Sequence, residues 1–144
     1  MKMKIVASSL VMVSLLTFTG IAEAARQQPI MEYENQTWVR ADGKTLPLEQ
    51  VKTAVLMGIQ DKGWNIEEWT DGGVTAKIVV RGKHTVVISI AYSTDHFSLY
   101  YRDSDNMMYK EKEDGSKVIH KNYNRWAEQL VSAIRNRLIT FEIE

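Results

Sequence analysis

Trp64-Asn65-Ile66-Glu67-Glu68-Trp69-Thr70-Asp71-Gly72-Gly73-Val74-Thr75-Ala76-Lys77-Ile78-Val79-Val80-Arg81 decides the fold. Trp64 and Ile66 alternate with Asn65 and Glu67, and Val74, Ala76, Ile78 and Val80 alternate with Thr75, Lys77, Val79 and Arg81. A period of two puts one set of side chains on each face of a strand, and Asp71-Gly72-Gly73 has the composition of the turn between two strands. Arg81-Gly82-Lys83 is a second tight turn. Val86, Ile88 and Ile90 then share one face of a third strand, and Phe97, Leu99 and Tyr101 one face of a fourth. The spacing therefore predicts a four-stranded antiparallel meander. Three-residue loops at 71–73 and 81–83 pair Ile66 with Ile78 and Ile78 with Val86, and a two-residue loop at Ser93-Thr94 pairs Ile90 with Phe97. Each pairing sets apolar opposite apolar, whereas a slip of one residue turns Lys77 and Arg81 inward.

Outward from the meander, the period changes to that of a helix on both sides. Leu48, Val51, Val55 and Ile59 form an apolar stripe behind Pro47, with Thr45 or Leu46 at the cap and Gly63 as the left-handed stop. Tyr123, Trp126, Leu130, Ile134 and Leu138 form a second stripe, capped by Asn122, with Arg135 and Arg137 near the negative end of its dipole. Residues 103–121 read as a long polar connection, and Thr140–Glu144 as a short tail. The predicted fold class is α+β, in the order helix, four-stranded antiparallel meander, helix, with both helices on one apolar sheet face.

Residues 25–44 carry Pro29, Asp42-Gly43, Tyr33 and Trp38 without sustained periodicity, and read as an extended N-terminal arm packed through its rings. Before the arm, Met1-Lys2-Met3-Lys4 is a short basic start, Ile5 to Phe18 an apolar run, and Ala22-Glu23-Ala24 a small-x-small cleavage site. That pattern is a secretory signal peptide over 1–24, shorter than the ~20 apolar residues of a comfortable bilayer span. The expected organisation is a cleaved leader, an arm over 25–44 and a single domain over 45–144, exported to the periplasm and released there without a membrane anchor.

Charge and cysteine narrow the chemistry. The chain balances 18 basic against 18 acidic residues, and loss of Lys2, Lys4 and Glu23 leaves a slightly acidic domain. This argues against a nucleic-acid partner, whose affinity rests on phosphate neutralisation. The absence of cysteine excludes disulfides, thiol catalysis and thiolate-held zinc. His84, His96 and His120 lack metal-binding spacing, and no cofactor is expected. Asp103-Ser104-Asp105-Asn106 with Asp114 resembles a calcium loop but has Met108 where the sharp-turn Gly belongs and Asp in place of the twelfth-position Glu. Ser89, Ser93 and Ser98 stand in no nucleophile motif, and Glu67, Glu68 and Asp71 lie on an open strand and turn without a cleft. No enzyme is expected. A hydrolase using His120 with Asp103 or Asp105 is the catalytic alternative, and an inhibitor of a periplasmic or incoming enzyme is a further one.

The sheet face away from the helices is the predicted contact surface. By alternation it carries Trp69, Val79, Val87, Ala91 and Tyr100 among Asn65, Thr75, Lys77, Arg81, Ser89, Ser98 and Arg102, with Val87 beside Tyr100. Either the N-terminal arm covers this face, or it binds an envelope protein, an envelope glycan or a second copy of the chain. A second candidate is the box Ile119-His120-Lys121-Asn122-Tyr123-Asn124-Arg125-Trp126. Ile119 can staple onto the first helical turn, Tyr123 and Trp126 share a face, and His120, Asn122 and Asn124 can satisfy free N–H groups there, or the box holds a ligand.

The same box, with Arg81-Gly82-Lys83-His84, a Tyr-rich fourth strand and Ser104-Asp105-Asn106, resembles a family of small bacterial envelope proteins, many of them predicted lipoproteins. The likeness covers about residues 46–138 and its specific part is the Ile-His-x-Asn-Tyr-Asn-x-Trp box. The family has no established activity to carry across. Ala25 stands where lipoprotein members have a cysteine, so the resemblance implies a freely diffusing protein here, and Lys110–Lys117 is an insertion-like charged stretch.

Overall fold

The structure, a computed structural model, describes residues 25–142. The predicted signal peptide lies outside the described residues. The elements are β1 (Gln27–Pro29), β2 (Tyr33–Gln36), α1 (Leu48–Asp61), β3 (Asn65–Thr70), β4 (Gly73–Val80), β5 (His84–Tyr92), β6 (Phe97–Asp105), β7 (Lys110–Glu111), β8 (Lys117–His120) and α2 (Lys121–Thr140). The class is α+β. The four expected strands β3 to β6 are neighbours in one antiparallel sheet, but that sheet has a fifth strand, in the order β2-β6-β5-β4-β3, and a separate small sheet runs β1-β8-β7.

The extra strands come from the two segments read as irregular. Part of the arm adds to each sheet, β1 pairing with β8 and β2 with β6, and residues 103–121 contain β7 and β8. Strands of two to four residues hold too little alternation to reveal themselves. Their partners here lie far away in sequence: Gln27 stands opposite His120 and Tyr33 opposite Leu99.

Register follows the hydrophobic pattern where the loops are as expected and departs where a bulge intervenes. Ile78 pairs with Val86 across the Arg81-Gly82-Lys83 turn, where Arg81 (φ 56°) and Gly82 (φ 65°) are both left-handed. Such a turn matches the twist of the flanking strands. In β3, Ile66 faces Ala76 rather than Ile78, and Glu68 faces Thr75, so Glu67 is an extra residue. The hairpin between β5 and β6 is longer than expected: Tyr92 pairs with Phe97 and Ile90 with Leu99 around a four-residue loop. A second irregularity in β6 places Ile88 opposite Tyr101 and Val87 opposite Asp103, with Arg102 as the extra residue.

Buried positions on both helices join those of the sheet in one core: Val51, Val55 and Ile59 of α1 and Tyr123, Leu130, Ile134 and Leu138 of α2 belong with Val74, Ala76, Val86, Ile88, Ile90, Phe97 and Leu99. The helices approach closely where α1 has Gly58. A Cβ there would stand 2.7 Å from the Ile134 Cα and 2.9 Å from its N.

Helix ends differ from expectation by a residue or two. Pro47 itself is the N-cap of α1, and its carbonyl accepts from the N–H groups of Gln50 and Val51. At the other end Gly63 (φ 77°) donates to Gln60 O and Trp64 to Ile59 O, a Schellman closure with the buried Trp64 ring behind it. Asn122 is not the cap of α2. His120 is, its Nδ1 accepting from the Asn122 N–H at 3.1 Å, because an imidazole nitrogen reaches the second helical N–H as an Asx oxygen would.

Candidate functional site

The outer face of the five-stranded sheet is the first candidate. The arm does not cover it, because Tyr33 pairs with the core residue Leu99 and Trp38 lies against Phe97, with ring centroids 6.3 Å apart. Both rings thus join the core side. On the outer side Glu68, Thr75, Ser89 and Tyr100 stand in a row across β3, β4, β5 and β6. They line a shallow depression of about 320 Å³ with Thr70, Ala91 and Arg102. The Arg102 Nε donates to Ser89 Oγ at 2.9 Å. Ser98 is buried on the same face, its Oγ accepting from the Asn35 N–H of β2 at 2.9 Å.

Two features of this face differ from the sequence reading, and both come from bulges. Trp69 does not lie on it: the extra residue Glu67 reverses the alternation, so Trp69 stands opposite the core residue Val74, on the helix side, with 55% of its surface exposed. Val87 is not beside Tyr100. Its partner is Asp103, and Tyr100 faces Ser89. Val79 (48% exposed) and Tyr100 (37% exposed) are the large apolar groups left open there. The face is accordingly more polar than alternation suggested.

The box before α2 is built as an anchor. Ile119 and Tyr123 are fully buried and Trp126 packs against the core. The Asn124 side chain is 5% exposed and holds the arm: its Oδ1 accepts from the Met31 N–H at 3.0 Å, and its Nδ2 donates to Pro29 O at 2.9 Å and to Gln28 Oε1 at 3.2 Å. Asn122 contributes only its backbone N–H to the His120 cap. The Tyr123 hydroxyl is enclosed with no hydrogen-bond partner among the described residues, and burial, with Tyr33, Tyr101 and Glu32 nearby, pushes its ionisation well above the ordinary phenol range.

His84 and His120 share one end of the molecule, around a loop that sequence reading treated as plain solvated connection. Asn106 and Met108 both have φ of 56°, an uncommon conformation for a bulky residue such as methionine. The three carbonyls of this loop are each taken by a different element: Asn106 O by the His84 Nδ1 at 2.8 Å, Met107 O by the His120 N–H at 2.7 Å, and Met108 O by the Gln27 Nε2 at 2.9 Å. Burial first, then the positive charges of His84, Arg26, Lys121 and Arg125, hold the His120 imidazole below its usual basicity. Neither Asp103 nor Asp105 bonds to His120. Asp103 instead accepts from the Ser104 N–H at 2.8 Å.

His96 lies in the hairpin loop past the far end of β5. Ser93 Oγ and Asp95 Oδ1 stand 3.0 and 2.6 Å from the same nitrogen, Nδ1, and 2.9 Å from each other. A nucleophile–base–acid relay uses the two ring nitrogens separately, so this closed triangle is a turn device. Its hydrogen bonds from Ser93 and His96 hold the Asp95 carboxyl below the usual carboxylate range. Among the described residues no three His, Asp or Glu side chains are grouped as a metal would require.

Arg40 gave no signal in the sequence, because it sits in an aperiodic arm. Its buried guanidinium reaches α2 from the other end of the chain, donating to Leu138 O (2.7 Å), Ile139 O (3.3 Å) and Phe141 O (2.7 Å), and pairing with Asp42 at 2.9 Å. Arg137 stands in the last turn of α2, where its charge complements the dipole, and the side chains of Arg135 and Arg137 bond to groups outside the helix. Arg135 donates to Thr37 O and Gln36 Oε1, and Arg137 forms two bonds to Asp61.

No family model, curated protein or solved structure matches the chain.

Proposed function

We propose that this protein is a non-catalytic binding module of the bacterial periplasm and that the outer sheet face around Tyr100 is its contact surface. One observation carries the reading: both helices and both arm aromatics pack on the same side of the sheet, leaving Tyr100, Val79 and Val87 on a face that no element among the described residues covers. The chemistry of that face is mixed. An aromatic ring, a guanidinium, a carboxylate and several hydroxyls surround an open depression. Such a surface suits an extended polar partner, an envelope glycan or the loop of an envelope protein. Export rests on the leader pattern of residues 1–24, and no helix among the described residues is long and apolar enough to cross a membrane. The resemblance to small envelope proteins through the Ile119–Trp126 box agrees with that address.

Co-sedimentation of the mature protein with purified peptidoglycan sacculi tests the glycan form of the proposal. Binding is expected to fall at least fivefold in Tyr100→Ala combined with Arg102→Ala, with circular dichroism unchanged. Sacculus binding that survives in the folded double variant removes this face from the account.

A further inference from the structure

We propose that His120 is an acid-sensitive latch, whose protonation opens the first turn of α2 and undocks the N-terminal strand β1. The ring nitrogen that is used decides the effect of a proton. His120 Nδ1 accepts the Asn122 N–H, so the imidazole caps α2 only while that nitrogen keeps its lone pair. A proton there converts the acceptor into a donor facing a donor. It also places a positive charge at the positive end of a twenty-residue helix, which has no acidic residue in its first turn.

The surroundings reinforce the effect. The charged groups facing His120 are His84 from β5, Arg26 ahead of β1, and Lys121 and Arg125 from α2, all cationic or able to become so. His84 is wired differently. Its Nδ1 meets a carbonyl, Asn106 O, a contact that needs a donor there and therefore survives protonation.

The latch is coupled to the arm by contacts at the same place. His120 is the register partner of Gln27 in the β1–β8 ladder, and its own N–H is held by Met107 O. One turn along α2, Asn124 grips Pro29, Gln28 and Met31. Loss of the first helical turn therefore loosens both the ladder and the clamp. None of this depends on the outer sheet face, which lies on another sheet.

The sign is fixed by linkage. A histidine less basic in the folded state than in the unfolded chain leaves stability intact above ~6.5 and withdraws it as pH falls below that value. Amide hydrogen exchange of the full protein, compared as protection factors at pH 7.5 and pH 5, reads the effect segment by segment. Protection of residues 27–31 and 119–124 is expected to fall about fivefold or more at pH 5, the factor a lost cap gives. In His120→Asn, which caps without titrating, the pH dependence of those segments is expected to vanish. Unchanged protection in the wild type, or a pH dependence that persists in His120→Asn, overturns the proposal. Should that variant fail to fold, imidazole nitrogen shifts of the wild type decide: the latch requires a neutral His120 protonated on Nε2. A neutral ring protonated on Nδ1 contradicts it.

Discussion

Arg40 illustrates how much of this fold hangs on single polar side chains. The last carbonyls of a helix need partners, and the usual solution is a glycine-led closure such as the one at Gly63. At the end of α2 a buried guanidinium from residue 40 serves instead, its planar fork meeting three carbonyls near the negative end of the dipole. Arg40→Ala is expected to cost about 2–4 kcal/mol in chemical denaturation, and Arg40→Lys to recover less than about half of it, because one ammonium cannot span the same acceptors. A loss below ~0.5 kcal/mol for the alanine variant contradicts this role. Arg40 and Asn124 show why such residues escape sequence reading: each acts on a partner about a hundred residues away, and nothing in the local pattern marks them. The Ile119–Trp126 box was legible, since its apolar members repeat at helical spacing. Its cap was misassigned by two residues, because Asn is the commoner capping residue and His120 took the place.

Elements with strong periods were legible, and those without were not. Both helices and the four long strands stand close to where period 3.6 and period 2 place them. The shifts in β3 and β6 come from single extra residues, Glu67 and Arg102, which alternation cannot detect. One of these shifts moved a candidate site residue, Trp69, to the other side of the sheet. The bulge in β3 also has a use: with Glu67 and Glu68 it roughens an edge strand whose outer side pairs with no other strand among the described residues, a common defence against edge-to-edge association. Helix packing was less visible still. Gly58 reads as a weak point in α1, yet the close approach of Ile134 requires it. Gly58→Ala gains up to ~1 kcal/mol in helix propensity, but its methyl group meets backbone rather than a movable side chain. Net destabilisation of about 1–3 kcal/mol is expected in urea unfolding, as overpacking usually produces. An alanine variant as stable as the wild type contradicts the packing described for α1 and α2.

For the whole molecule, the decisive fact is asymmetry. A five-stranded sheet carries helices, arm aromatics and core on one side and a partly polar, partly aromatic surface on the other. The sequence showed that there would be such a surface, but not which way the arm would fold, because Tyr33 and Trp38 suit either side of the sheet. With both rings on the core side, the surface stays open. The open sheet face is tested most directly by site-specific photo-crosslinking of the full chain expressed in intact bacterial cells, with the reactive residue in turn at positions 79, 87 and 100 and, as a control, at the exposed α2 position 129. One discrete adduct, shared by positions 79, 87 and 100 and absent at 129, is expected. No adduct from the sheet face, or the same adduct from the helix position, contradicts it.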